Sequence, residues 1–321
     1  MGRRNQDPVQ LFTHACAGDR ASLARLLSLI ERGGPEAREI GRLSYPLGGQ
    51  GYTVGITGAP GAGKSTLTSA AIGHLRRQQI EVAVLAIDPS SPFTGGAILG
   101  DRVRMQDHAT DPGVFIRSMA TRGHLGGLSL AAPEAVRLLD AIGRKWIMVE
   151  TVGVGQVEVE IAGKADTTIV VVNPGWGDSV QANKAGLMEI ADLFVINKAD
   201  RKGVDETRRD LEGMLELSDL ADDAWRPPIL SVVATTGDGV VPLWDAVLAH
   251  RAFIESSGEL ERRRRFRIRE ELREIVARRL EQRARQIATG ERWDDLQQQV
   301  IERLLDPWGA ADEMLRGISG A

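Results

Sequence analysis

The sequence of 321 residues predicts an α/β fold in which a mostly parallel sheet is flanked by helices. One observation behind this prediction is the alternation of short apolar runs with longer amphipathic segments. Another is a glycine-rich loop that follows the first apolar run and opens a helix. The expected strands are residues 52–57, 81–87, 113–119, 145–149, 167–172, 193–196 and 229–233.

Before the predicted sheet, residues 7–32 place apolar side chains near helical spacing. Gly18 and Asp19 indicate a break between two helices, and Gly33-Gly34-Pro35 is expected to end the second. We therefore predict a helical extension over residues 1–46, ahead of the sheet domain.

Beyond Gly258 the composition shifts to a helix rich in Arg and Glu, with eleven Arg and six Glu between Glu259 and Arg285. A basic arm that binds nucleic acid is one interpretation. Interleaved Glu and the near absence of aromatics favour a solvated amphipathic helix that packs on a partner subunit. The predicted domains are the extension (1–46), a sheet domain (47–257) and a C-terminal helical arm (258–321). The apolar stripe of the arm comprises Leu260, Phe266, Leu272, Ile275, Val276 and Leu280.

The composition excludes several classes of protein. A net charge of -4 gives no overall attraction to nucleic acid or anionic membranes, so we expect neither as a partner. The single cysteine, Cys16, allows no internal disulfide and is expected to be a small packing residue. Met1 to Asp7 contain no long apolar stretch, and no run of about 18 apolar residues occurs. Neither secretion nor membrane spanning is therefore indicated, and a cytoplasmic protein is expected.

The glycine-rich loop fits the phosphate-binding pattern G-x-x-x-x-G-K-[ST]. Its backbone N–H groups and the following helix dipole favour a bound anion, and Lys64 is expected to reach the β- and γ-phosphates. Ser65 would place its hydroxyl on Mg²⁺, whereas Thr66 packs or caps the helix. A glycine-rich turn before a helix is the alternative, but the strand and the Lys-Ser pair favour a P-loop NTPase. The loop is Gly58-Ala59-Pro60-Gly61-Ala62-Gly63-Lys64-Ser65-Thr66.

A second motif, Asn197-Lys198-Ala199-Asp200, follows the strand predicted at 193–196 and has the N-K-x-D form. The Asp200 carboxylate can accept hydrogen bonds from N1–H and the exocyclic amine of guanine, which adenine cannot offer in that arrangement. Asn197 and Lys198 would brace the loop and cover the base. A surface turn or a helix cap explains Asp200 equally well in isolation, but the preceding phosphate loop favours a GTP and GDP site.

Three carboxylates are candidates for the metal. Asp88 and Glu150 end predicted strands, and Asp101 lies in a glycine-rich loop. Because ligands of parallel sheets bind at the carboxyl ends of the strands, the three are expected to meet one Mg²⁺-phosphate. Singly, Asp88 could be a turn residue, Asp101 an ion-pair partner of a neighbouring arginine, and Glu150 a helix cap.

These motifs, in this order, resemble those of MeaB-type GTPases, also called ArgK, which include the human methylmalonic aciduria type A protein. The resemblance runs over nearly the whole chain. Its most specific part is the run 150–156. The other runs that carry it are Asp88-Pro89-Ser90-Ser91-Pro92, Thr94-Gly95-Gly96, Leu99-Gly100-Asp101, Arg117-Ser118, Arg122-Gly123, Leu125-Gly126-Gly127 and Pro174-Gly175-Trp176-Gly177-Asp178 with Gln181 and Lys184.

The resemblance implies a GTPase that acts as a chaperone of an adenosylcobalamin-dependent acyl-CoA mutase, with methylmalonyl-CoA mutase as the usual client. It also implies that Lys64, Asp88, Asp101 and Glu150 take phosphate and Mg²⁺ roles, that residues 175–184 form a third switch, and that the arm makes a homodimer. Val157 and Asn183 depart from the usual family pattern.

Neither a catalytic base nor an arginine finger is evident, which predicts slow hydrolysis accelerated by the client. Gln156 is a candidate for positioning water by chemical type alone. The alternatives are an ATP-using kinase, against which Asp200 argues, and a nucleotide-sensing scaffold with negligible turnover. A nickel-delivery GTPase is disfavoured because the chain has five scattered His and one Cys.

Overall fold

A computed structural model describes residues 7–89, 105–108, 110–121, 127–151, 164–175, 188–217, 221 and 223–316. Asp101, Gln156, Val157 and Asn183, and nearly all of the predicted third switch, lie outside these ranges. The chain forms two compact units, Met1–Arg264 and Arg265–Ala321.

The first unit begins with three helices, α1 (Pro8–Cys16), α2 (Arg20–Arg32) and α3 (Pro35–Ser44). As predicted, α1 and α2 are separated at Gly18-Asp19, where the Asp19 side chain accepts hydrogen bonds from the first turn of α2. Helix α3 escaped prediction because Pro35, interpreted as a stop, is the first residue of this helix, a position that suits proline. The packing role predicted for Cys16 is wrong, since this residue is exposed at the end of α1.

The predicted parallel sheet is confirmed, and all seven of its described strands run parallel in the order β3-β2-β4-β1-β5-β6-β7. Each strand begins and ends within two residues of the predicted range. The strands are β1 (Tyr52–Gly58), β2 (Val82–Pro89), β3 (Val114–Thr121), β4 (Trp146–Thr151), β5 (Thr167–Val172), β6 (Leu193–Asn197) and β7 (Ile229–Val232).

Helices cover both faces of the sheet, so its central strands are apolar on both sides. On one face, Val54 and Ile56 pack with Leu67 of the helix that follows β1. On the other face, Ile147 and Val149 of β4 pack with α2 and the helix before β4. The remaining α-helices of the described part are α4 (Lys64–Arg77), α5 (Gly127–Ala141), α6 (Val204–Glu216), α7 (Val240–Ser256), α8 (Glu259–Ile287), α9 (Glu291–Ile301) and α10 (Pro307–Arg316).

The second unit contains α8 beyond Arg264, then α9 and α10. Arg292 of α9 donates a 2.6 Å hydrogen bond to the backbone carbonyl of Glu313 in α10. Much of the predicted apolar stripe is exposed, since Phe266, Leu272 and Leu280 are each more than 60% accessible. Among the helices of the described part, none is long and apolar enough to cross a membrane.

Strand β1 lies between β4 and β5, where the connections of the sheet diverge to either side. In open parallel sheets, this switch point creates a crevice at the carboxyl ends of the strands. The phosphate loop begins there, at Gly58. The topology therefore places the loop where such folds bind ligands.

Gly58 has a positive φ of 136°, and its Cα faces Val171 of β5. A Cβ at this position would overlap the Val171 carbonyl. We expect Gly58→Ala to lower the free energy of unfolding by about 2–4 kcal/mol, because the strands must separate and the backbone is strained. Urea unfolding measures this change. The matched control is Gly213→Ala in α6, where the Cβ enters open space and should stabilise the helix by about 0.5–1 kcal/mol. Equal stability of the two variants would contradict the prediction.

Candidate nucleotide site

The phosphate loop leads from β1 into α4 and positions Lys64 in the first turn of that helix. The Lys64 side chain is buried, and Nζ donates hydrogen bonds to the carbonyls of Gly58 (2.7 Å) and Ala59 (3.1 Å). Both carbonyls belong to the loop itself. The ammonium group is therefore held over the concave side of the loop, where an anion would find its charge.

Gly63 is the N-cap of α4, with a left-handed φ of 90°. It has no side chain to accept the hydrogen bonds of the first helical turn, so those N–H groups depend on another acceptor. A Cβ here would also collide with the amide nitrogen of Asn197. Glycine is thus required both by the turn and by its neighbour, and the helix end is suited to a phosphate.

Ser65 and Glu150 meet at the base of the loop. The Ser65 hydroxyl donates a 2.6 Å hydrogen bond to Oε1 of Glu150, and both side chains are buried. Glu150 projects from β4 toward the face that α4 covers, because it alternates with the residues facing the opposite side. A hydroxyl and a carboxylate are oxygen ligands of the kind that Mg²⁺ prefers, so the residues present fit this metal.

The side chains of the other two predicted metal ligands, Asp88 and Asp101, are not among the described groups. Asp88 is the penultimate residue of β2, opposite Ala120 of β3, which places its backbone at the carboxyl edge of the sheet. Its side chain and the whole of Asp101 lie outside the described part. Within that part, no group of three or more His, Cys, Asp or Glu could hold a metal. The convergence of three carboxylates therefore stays a prediction.

The N-K-x-D segment contacts the phosphate loop directly. Asn197, the last residue of β6, donates from Nδ2 to the carbonyl of Ala62 (2.8 Å). Lys198 donates from Nζ to the carbonyl of Gly61 (2.6 Å). Two sequence segments whose contacting residues are 135 and 137 positions apart thus form one continuous surface at the ends of β1 and β6.

Asp200 follows in a tight turn that starts at Lys198, whose φ of 58° is unusual for a residue with a side chain. The turn is anchored by a 3.1 Å hydrogen bond from the Ala199 N–H to the carbonyl of Val232 in β7. Asp200 itself is exposed. Its carboxylate is therefore accessible to a ligand at the same edge as the phosphate loop.

The loop after β7 contributes a group that sequence reasoning missed. Oδ1 of Asn197 accepts a 3.1 Å hydrogen bond from the Ala234 N–H, so one side chain connects three loops. A turn such as Thr235-Thr236-Gly237-Asp238 is visible in a sequence, but a backbone donor has no side-chain signature.

A pair of threonines, also unpredicted, lies behind the site. Thr151 Oγ1 donates a 3.0 Å hydrogen bond to Thr57 Oγ1, and both side chains are buried. Thr151 is the last residue of β4 and Thr57 is the penultimate residue of β1. Both side chains lie at the carboxyl edge of the sheet, on the face opposite Glu150. The pair links the strand that enters the phosphate loop to the strand that carries Glu150.

The chain is similar to several known proteins. Residues 23–289 match the model of a family described as methylmalonyl Co-A mutase-associated GTPase MeaB. The chain is 52% identical over 313 residues to a putative GTPase of Pyrococcus abyssi, covering 97% of each chain. It is 35% identical over 272 residues to the mitochondrial methylmalonic aciduria type A homolog of Mus musculus, covering 79% of this chain and 66% of that protein. A crystal structure of a LAO/AO transport system kinase superposes with a TM-score of 0.73 at 28% identity, covering 99% of this chain and 100% of that one.

Proposed function

Because the chain belongs to the MeaB family of GTPases, we propose that it uses GTP binding and hydrolysis to control an adenosylcobalamin-dependent acyl-CoA mutase. The observation that carries the nucleotide part of the proposal is the direct contact of the phosphate loop with the N-K-x-D segment through Asn197. This contact joins a site for phosphates to a site for guanine on one surface.

In this proposal, Lys64 and the first-turn N–H groups of α4 bind the β- and γ-phosphates. Asp200 binds the guanine base through its carboxylate, and Lys198 covers the base with its methylene stem. Asn197 holds the loops at a fixed separation. The binding surface is thus organised by hydrogen bonds within the protein, which lowers the entropic cost of binding.

Mg²⁺ would be held by Ser65 and Glu150, with Asp88 and Asp101 as further proposed ligands. When bound, the metal supplies positive charge that neutralises the charge on the transferred phosphoryl group. Gln156 is proposed to position the attacking water. Since neither a base nor an arginine has a place in this set, slow hydrolysis by the protein alone follows from the proposal.

Glu150→Gln tests the metal assignment. The Gln side chain can still accept the Ser65 hydroxyl hydrogen bond but carries no charge, so the fold should persist while Mg²⁺ binds less tightly. We expect the Mg²⁺ concentration for half-maximal GTP hydrolysis to rise roughly 10- to 100-fold. The control is Glu206→Gln, which removes an exposed carboxylate on α6. An unchanged Mg²⁺ dependence of Glu150→Gln would exclude Glu150 from the metal site.

The partner assignment is supported by the description of the family and by the name of the mouse relative. We propose that the client mutase accelerates GTP hydrolysis, and that hydrolysis gates cofactor loading and protects or reactivates the mutase. Phosphate release from GTP should be measured for the protein alone and with purified adenosylcobalamin-dependent acyl-CoA mutases added singly. Stimulation by one mutase is the expected result, and no stimulation by any would reject the chaperone role.

An ATP-using kinase is the second candidate, because the superposed solved structure is described as a LAO/AO transport system kinase. ATP therefore belongs in the same assay. Faster turnover of ATP than of GTP would favour the kinase. Guanine specificity with negligible turnover under every condition would instead favour a nucleotide-sensing scaffold.

We further propose that residues 258–321 form an arm that makes a homodimer. The support is the exposed apolar stripe of α8. Three large apolar side chains, those of Phe266, Leu272 and Leu280, are highly accessible on this one helix, which is unusual for a surface that nothing covers. Light scattering of the purified protein tests this proposal. Mass near twice that of one chain is expected, and Leu272→Glu should shift it toward the monomer.

A further inference from the structure

The edge of the sheet opposite the nucleotide site carries two buried carboxylates. Asp166 directly precedes β5, Asp192 directly precedes β6, and both are at most 5% exposed. Nη1 of Arg263 lies 3.0 Å from Oδ1 of Asp192, and Nη2 of Arg264 lies 2.7 Å from Oδ2 of Asp166. We call these four residues the α8 clamp, because both arginines belong to the start of α8.

The α8 clamp also holds the backbone at the starts of the central strands. Oδ2 of Asp166 accepts a 3.0 Å hydrogen bond from the N–H of Thr53 in β1, and Oδ2 of Asp192 accepts a 2.8 Å hydrogen bond from Thr168 in β5. Arg264 further donates to the carbonyl of Gly51, just before β1 (2.8 Å). The start of α8 is therefore fastened to β1, β5 and β6.

The opposite ends of two of these strands lead directly into the nucleotide site. Strand β1 ends at Gly58, the first residue of the phosphate loop, and β6 ends at Asn197 of the N-K-x-D segment. Strand β5 lies between them and is hydrogen-bonded to both. A paired strand in a central sheet moves as a rigid element, since its hydrogen bonds and packing resist bending.

The clamp is sensitive to disturbance because its carboxylates are buried. Burial by itself would lower the pKa of Arg263, but the charges and hydrogen bonds of Asp192 and Glu259 together outweigh burial and leave the pKa above its usual value. Fully buried His250 adds a second contact, with Nε2 lying 3.2 Å from Oδ1 of Asp192. Removing one arginine would leave a buried negative charge poorly compensated. Because the energy of a buried ion pair depends strongly on its geometry, small shifts of β5 or β6 change the energy of these pairs.

We propose that the α8 clamp couples the nucleotide site to α8 through β1, β5 and β6, so that nucleotide binding stabilises α8 beyond Arg264. Because such coupling is reciprocal, whatever binds and orders α8 also tightens nucleotide binding. The coupling is a property of the protein alone and requires no mutase. It supplies a physical connection between the site of hydrolysis and the helix that continues into the second unit.

Hydrogen exchange of the amides of residues 265–287, with and without saturating GDP and Mg²⁺, tests the coupling in the full chain. We expect GDP to slow this exchange roughly fivefold or more in the natural protein. In Asp192→Asn, which keeps the side-chain volume and an acceptor for Thr168, the effect of GDP should fall to less than half, although GDP still binds at saturation. Asp166→Asn is a second, independent variant of the same kind.

The matched control is Arg273→Met, which removes an exposed arginine paired with Glu270 on the same helix and should leave the effect of GDP unchanged. The coupling is disproved if GDP does not alter hydrogen exchange in the natural protein. It is also disproved if GDP slows exchange in both clamp variants as much as in the natural protein. A stimulated GTPase with an unresponsive α8 would overturn the coupling while leaving the proposed function intact. If GDP slows exchange in α8 but no mutase stimulates GTP hydrolysis, the client is rejected and the coupling is kept.

Discussion

Lys64→Ala is expected to weaken GTP and GDP binding about a thousandfold, which corresponds to about 4 kcal/mol. The reason is the position of Nζ, which the carbonyls of Gly58 and Ala59 hold over the loop. In the bound state this ammonium would make charge-assisted hydrogen bonds to phosphate oxygens, which are stronger than bonds between neutral groups. Titration with a fluorescent guanine nucleotide measures the change.

The control for this variant is Lys145→Ala. Lys145 is exposed and precedes β4, so it lies at the opposite edge of the sheet from the phosphate loop. The Lys145→Ala substitution removes the same charge from the same fold. It should leave nucleotide affinity within about twofold, because exposed charges at that distance are screened. If Lys64→Ala binds GTP as tightly as the control does, the phosphate site has been assigned to the wrong loop.

Asp200→Asn is expected to change which base is bound rather than whether a nucleotide is bound. The variant loses the acceptor for the amine of guanine and gains an amide donor that fits the 2-oxo group of xanthine. We expect roughly a 100-fold loss of GTP affinity, from about 3 kcal/mol of hydrogen bonding, with a gain of affinity for XTP. Competition of GTP, XTP and ATP for a labelled nucleotide measures all three.

Asp205→Asn is the matched control, since Asp205 is an exposed aspartate in the first turn of α6, close to the same loop. It should retain preference for GTP. A variant at Asp200 that still selects GTP over XTP would show that the base is read elsewhere. A preference for ATP in the unmodified protein would contradict the guanine assignment as a whole.

The seven strands and the first two helices follow from the order of apolar residues, because the period of a strand or helix is a local property of the chain. The helix α3 was missed for a local reason too, since Pro35 both stops one helix and starts another. Cys16 was misplaced because a nine-residue helix has exposed and buried positions that a single small residue does not distinguish.

In the candidate site, too, some features were predictable from the sequence and others depend on the tertiary structure. The phosphate loop and the N-K-x-D segment are motifs because close approach of backbone to ligand demands particular residues at fixed spacing. Ser65 and Glu150 were both proposed for the metal, but their 2.6 Å contact depends on the pairing of β1 with β4. The Ala234 N–H that Asn197 binds leaves no trace in the sequence, because every residue except proline has such a donor.

The sequence by itself thus determined the α/β class, the order of the strands along the chain, the phosphate loop and the base segment, all of which rest on local spacing. The tertiary structure alone decided the spatial order of the strands, the joining of three loops by Asn197, and the fastening of Arg263 and Arg264 to Asp192 and Asp166. These contacts join residues up to about 135 positions apart. Their partners are selected by strand pairing and burial, which depend on the whole fold and not on any segment of it.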